Sequence, residues 1–172
     1  MEDILDKINV MKDKRLIVAI DTNRINTKNK TASMNQLEEW HKAGYIELVY
    51  PGSIVGELRE YCPEALNKVS DFNKILGPGK YGSGVTYGNI RYGSTEPEYS
   101  KIQKIVFDSK KTLSQNDILD IHHLIACVRN SVDYFITSDS FILSKKDNLY
   151  KELGIKVCKS EELVNKLKDK FK

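Results

Sequence analysis

Four acidic residues are placed to do chemistry together. Asp21 follows the run LIVAI, Glu57 lies in SIVGEL, Asp120 lies in NDILDIHHLIA, and Asp139 closes DYFITSD. Each falls at or near the end of a segment that reads as part of an α/β sheet. Sheet ends are where open α/β folds bind their ligands. Carboxylates gathered there repel one another unless a cation sits among them. The hard divalent ions that suit all-oxygen ligands are Mg²⁺ and Mn²⁺. The chemistry to expect is metal-dependent and directed at phosphates.

Taken singly, each acid also has an ordinary role. Asp21 and Asp139 suit turns. Glu57 suits a helix surface, with Glu60 one turn further on. Asp117 and Asp120 stand three apart on one helix, so their side chains share a face and repel unless a cation intervenes. Asp117 also completes an S-x-x-D pattern with Ser114, the signature of a helix N-terminus. Asp120 lies deeper in the helix, where capping does not account for it.

The elements that must position these acids follow from apolar spacing. The continuous β-branched run at 16–20 has the pattern of a strand buried on both faces, as in parallel sheets. A polar loop follows. A helix is expected from near Ser33, with Met34, Leu37 and Trp40 as its stripe and Gly44 as its stop. IELVY at 46–50 reads as the second strand, and Ser53 as the cap of a helix carrying Ile54, Val55 and Leu58. A further helix is expected from Pro63 to Gly77, and a short one over 98–107. Ile118, Ile121, Ile125 and Val128 mark a helix over 114–129 capped by Ser114. A strand ending at Asp139, a helix at 148–153 stopped by Gly154, a strand at 155–158 and a last helix capped by Ser160 complete the chain. Residues 1–14 read equally as a short helix or a frayed tail. The stretch 77–97, rich in Gly, Tyr and Ser, reads as a long loop or a small hairpin. Strands alternating with helices predict an α/β fold, a three-layer sandwich with a mainly parallel sheet covered on both faces.

Bulk properties agree with one domain of 172 residues. No apolar run approaches the roughly 20 residues that span a bilayer. MEDILDKINVMKDKR lacks the apolar core of a secretory signal, so none is expected. Cys62, Cys127 and Cys158 are scattered, form no CxxC pair, and point to buried thiols in a reducing cytoplasm. A net charge of +3 permits a nucleic-acid partner without requiring one.

In order along the chain, IDTN at 20–23, SIVGEL at 53–58, DIHHLIA at 120–126, DYFITSDSF at 133–141 and GIKVCKSEELV at 154–164 resemble the PIN-domain ribonucleases. The resemblance covers roughly 16–60 and 113–165, within a single domain over 1–172, and leaves 66–112 as an insertion relative to a minimal PIN domain. It implies hydrolysis of RNA phosphodiesters by a metal-activated water with Mg²⁺ or Mn²⁺, leaving a 5′-phosphate and a 3′-hydroxyl. The implied acids are Asp21, Glu57, Asp120 and Asp139, with Asp117 as an auxiliary ligand. Asp21 and Asp139 are the first choice for direct ligands. Thr22, Asn23 and Thr137 fall where the family places supporting hydroxyl or amide groups. His122 and His123 depart from the small residues the family carries after its third acid; a packing or surface role is the expectation for them.

Arg24, Lys28 and Lys30 after the first strand, and Lys145 with Lys146 after the fourth acid, are candidates to grip RNA. Tyr81, Tyr87, Arg91 and Tyr92 interleave aromatics with charge, a pattern that stacks unpaired bases or simply packs a hairpin on the domain. The resemblance admits an antitoxin protein or a second copy of the chain as partner. Two other readings stay open: a catalytically silent PIN-like scaffold that binds RNA or a partner, and another Mg²⁺-dependent phosphate hydrolase. A haloacid-dehalogenase-like phosphatase requires a second Asp two residues after the first, where this chain has Asn23.

Overall fold

The apolar run Leu16–Ile20 forms β1, the central strand of a five-stranded, all-parallel sheet ordered β3-β2-β1-β4-β5. These observations come from a computed structural model that describes residues 15–25, 31–77 and 97–171. The other strands are β2 (Ile46–Pro51), β3 (Asn73–Ile75), β4 (Tyr134–Ile136) and β5 (Lys156–Cys158). The helices are α1 (Thr22–Ile25), α2 (Ala32–Lys42), α3 (Ile54–Tyr61), α4 (Leu66–Val69), α5 (Pro97–Phe107), α6 (Gln115–Arg129), α7 (Ser140–Leu143), α8 (Lys146–Leu153) and α9 (Ser160–Leu167).

Alternation along the strands splits the core in two. Val18 and Ile20 of β1, with Tyr134 and Ile136 of β4, face a cluster containing Ile25, Leu37, Trp40, Leu58 and Leu163. Ala19 and Phe135 face the opposite cluster, built from Tyr99, Ile102, Ile121, Leu124 and Leu149. Helices therefore cover both faces, giving the three-layer α/β/α sandwich that the alternating pattern predicts.

Several boundaries differ from the sequence reading. The helix expected over 63–77 is a 3₁₀ turn at Pro63–Ala65, the short α4, and then the edge strand β3. Leu66, Val69, Phe72 and Ile75 are spaced by threes and mimic a helical stripe, but Phe72 follows the turn that ends α4 and Ile75 is buried from the strand. The loop after Asp21 contains α1. α2 starts at Ala32, next to the expected Ser33, and Thr31 caps it. Ser53 makes no capping bond, because its own backbone is already helical. Lys159 is the cap position of α9, and Ser160 instead turns inward to bond Arg24 and Ser33. β4 stops at Ile136, so Asp139 lies three residues beyond the strand as the N-cap of α7. Residues 1–14, read as a short helix or a tail, with Lys28, Lys30, and the segment carrying Tyr81, Tyr87, Arg91 and Tyr92, lie outside the described residues. Residues 97–107 do belong to the fold: α5 buries Tyr99, Ile102, Val106 and Phe107 in the second core.

Candidate active site

The strand order creates the site. From β1 the chain moves outward to β2 and β3, then returns to place β4 on the other side of β1. The C-terminal ends of β1 and β4 thus flank the point where the winding reverses, the crevice in which open α/β sheets bind ligands. Asp21 and the Thr137-Ser138-Asp139 turn leave the sheet at this point, and the Asp21 N–H donates to the Ile136 carbonyl at 2.9 Å to fasten the two ends.

Asp21 is 4% exposed, and donors hold it firmly. Its Oδ1 accepts from the Thr22 backbone N–H at 2.7 Å; its Oδ2 accepts from the Thr137 hydroxyl at 2.6 Å and the Asn23 amide at 2.9 Å. Burial nevertheless pushes its pKa up to about 6, with repulsion from Asp139 adding to the rise and the three donors opposing it. The supporting positions read from the sequence therefore contact the acids directly. The Thr22 hydroxyl donates to Glu57 Oε2, which ties the first turn of α3 to the end of β1. Asn23 also accepts from the Ser138 N–H at 3.2 Å.

Asp139 is oriented by its helix. Its Oδ1 caps α7 through the Phe141 and Ile142 N–H groups at 2.7 and 3.1 Å, and its own N–H donates to Thr137 Oγ1 at 2.9 Å. Asp120 is half-buried and accepts no hydrogen bond among the described residues. Its pKa is pushed up to about 8, first by burial and then by the negative charges of Asp21, Asp139, Glu57 and Asp117. Carboxylates from β1, α3, α6 and the β4–α7 turn therefore feel one another across one crevice.

Asp117 does different work. Its Oδ2 accepts from the Ser114 N–H at 2.8 Å and the Ser114 hydroxyl accepts from the Asp117 N–H, a complete capping box. Its Oδ1 pairs with Lys110 Nζ at 2.7 Å. Burial pushes its pKa upward, but the bonds from Lys110 and Ser114 outweigh that and hold it below the ordinary carboxylate value. Both oxygens are thus engaged in starting α6. Asp117→Ala is expected to cost about 1 kcal/mol of stability, as lost caps do, with divalent-ion affinity unchanged; titration calorimetry beside thermal melting checks both.

The basic candidates divide. Arg24 is turned into the fold, its Nη2 donating to Ser160 Oγ at 2.7 Å and Thr31 Oγ1 at 3.1 Å and standing 3.6 Å from Glu161. It ties α1 to the starts of α2 and α9, a structural role beside the RNA contact expected of it from the sequence. Lys145 is half-buried just past α7, and the neighbouring Lys146 pairs with Glu162 at 3.7 Å.

Sequence reading assigned no site role to three residues near the acids. Phe141, 37% exposed, stacks on Phe107 with ring centroids 5.6 Å apart, and Lys110 Nζ lies 5.3 Å from its centroid. His123 is buried, with Nδ1 3.7 Å from Asp21 Oδ1 and Nε2 3.9 Å from Glu57 Oε2. His122 turns the other way, into the second core beside Tyr99. The double-His departure in HHLIACV was the only advance signal for His123.

The donor set fits a hard divalent cation. The groups that would hold it are carboxylates, and two of them have pKa values raised first by burial and then by neighbouring acids, the penalty a cation would remove. Among the described residues, no three His, Cys, Asp or Glu side chains are already closed into a metal cage. No helix among them is long and apolar enough to cross a membrane. No protein-family model matches the chain, and no curated protein matches it.

Proposed function

We propose that the chain is a Mg²⁺- or Mn²⁺-dependent endoribonuclease of the PIN type, hydrolysing RNA phosphodiester bonds with Asp21, Glu57, Asp120 and Asp139 as its acidic centre. The observation that carries this reading is Asp120: its carboxyl is destabilised as an anion first by burial and then by Asp21, Asp139 and Glu57 together. Such a cluster costs stability unless a cation uses it. A bound divalent ion would supply Lewis-acid charge, activating water for attack on phosphorus and offsetting charge in the transition state.

The protein's own groups then have distinct tasks. Thr22, Asn23 and Thr137 hold Asp21 in one orientation, and the α7 cap holds Asp139. Thr22 sets the position of Glu57. Asp120, with its pKa raised first by burial and then by its acidic neighbours, favours holding a proton near neutrality and would give it up to a bound ion. Asn23 donates to Asp21, which is a bracing role and not that of the second acid a haloacid-dehalogenase-like phosphatase needs.

Phe141 and Lys110 supply a surface for an unpaired base beside the acids. Base stacking on an aromatic ring contributes roughly 1–3 kcal/mol. Phe141→Ala is expected to weaken binding of a single-stranded oligoribonucleotide by that amount and to leave duplex binding alone, measured by fluorescence anisotropy in Ca²⁺.

The reading is tested by incubating the purified chain with single-stranded RNA in Mn²⁺, in Mg²⁺ and in chelator, and analysing the product ends. Internal cleavage that needs the ion and leaves 5′-phosphates is expected. Binding of the ion and of RNA without any cleavage would favour the silent scaffold instead.

A further inference from the structure

We propose that His123 supplies an imidazole nitrogen to the cation held by Asp21 and Glu57, and that this nitrogen makes the site select Mn²⁺ over Mg²⁺. The inference rests on the metal-dependent reading above and goes beyond it by assigning a ligand and an ion. His123 lies three residues after Asp120 on α6, so both side chains project from one face of that helix. The imidazole is 1% exposed, and its two nitrogens approach two different carboxylates, at 3.7 Å from Asp21 and 3.9 Å from Glu57. Two ligands each about 2.1 Å from a common ion stand within roughly 4 Å of each other. A neutral imidazole offers one N–H and one lone pair. Whichever nitrogen carries the proton faces one carboxylate, while the other would take the ion beside the second carboxylate. Ligating histidines are commonly oriented by such a partner. Mg²⁺ prefers oxygen and sheds water reluctantly, whereas an imidazole nitrogen favours first-row transition ions.

Calorimetry and pulsed EPR on the full chain test this with MnCl₂ and MgCl₂ as probes. Mn²⁺ is expected to bind at least about tenfold more tightly than Mg²⁺, and its spectrum to carry the ¹⁴N coupling of a directly bound imidazole. His123→Asn and His123→Gln should lose that coupling and most of the preference for Mn²⁺, with Mg²⁺ affinity changing less. His122→Asn should keep both. Mn²⁺ bound without nitrogen coupling in the unaltered protein overturns the role of His123 while leaving the metal-dependent reading in place. Failure of either ion to bind at millimolar concentration overturns that reading itself. The spectrum of the unaltered protein decides the point even if the His123 variants do not fold.

Discussion

In the Asp21→Asn variant, Mn²⁺-supported RNA cleavage is expected to fall by on the order of 10³-fold or more, the scale at which removing a central electrostatic group acts. Far-UV dichroism should be unchanged. Asp21 is where three lines of support meet: the Thr22 N–H, the Thr137 hydroxyl and the Asn23 amide. An amide at this position keeps one oxygen for the Thr22 N–H. It presents an NH₂ to the Thr137 side; the Thr137 hydroxyl can turn to accept it, while the Asn23 amide, a donor to the same atom, loses its acceptor. The cost of that adjustment is opposed by removal of a buried carboxylate whose pKa burial has raised to about 6. The fold therefore tolerates the change, and what disappears is negative charge at the mouth of β1. Cleavage at the unaltered rate in this variant would falsify the assignment of the centre.

The second large effect is a coupling of stability to pH and metal. In chelator, Asp21 and Asp120 have folded-state pKa values of about 6 and about 8, against 3.8 in the unfolded chain. A raised carboxylate pKa means that the folded state holds the proton more tightly than the unfolded state does. Its contribution is fully present below pH 3.8 and is lost as pH rises through about 6 for Asp21 and about 8 for Asp120. The metal-free protein should melt at progressively lower temperature from pH 5 to pH 8. Asp120→Asn removes the larger part of that slope. Discounted for the partial exposure of Asp120, the gain in chelator at pH 8 is about 2 kcal/mol, or roughly 4–8 °C in Tm, with little gain at pH 5. Saturating Mn²⁺ should raise Tm of the unaltered protein most at pH 8, where the carboxylates are ionised, and should destabilise the variant relative to it. Scanning fluorimetry from pH 5 to 8, with and without Mn²⁺, reads all of this. A metal-free Tm that climbs with pH would contradict the repulsive cluster.

Much of this architecture is legible locally. LIVAI, IELVY and YFI announce buried strands because a strand covered on both faces has no polar side to show. Ser114 and Asp117 mark the start of α6, since a capping box is made entirely within four residues. The errors arise where local signals are ambiguous. Threefold spacing from Leu66 to Ile75 suits a helix, and only pairing with β2, at Val49 with Asn73 and Pro51 with Ile75, makes β3 a strand. Serines 53 and 160 look like caps in isolation. At position 160 the hydroxyl meets Arg24, 136 residues away, and bonds it in preference to its own helix.

Apolar periodicity, cap chemistry and the order of acids along the chain determined the fold class, most of the elements and the acids worth testing. These properties are set by neighbours a few residues apart. The tertiary structure alone decided which polar groups meet. The bond from Thr137 to Asp21 crosses 116 residues, Arg24 is drawn inward by two helix starts, and His123, not His122, stands between Asp21 and Glu57. The physical reason is that crossovers and strand order bring distant segments together at one sheet edge. A side chain's electrostatic role there depends on charges contributed by those segments.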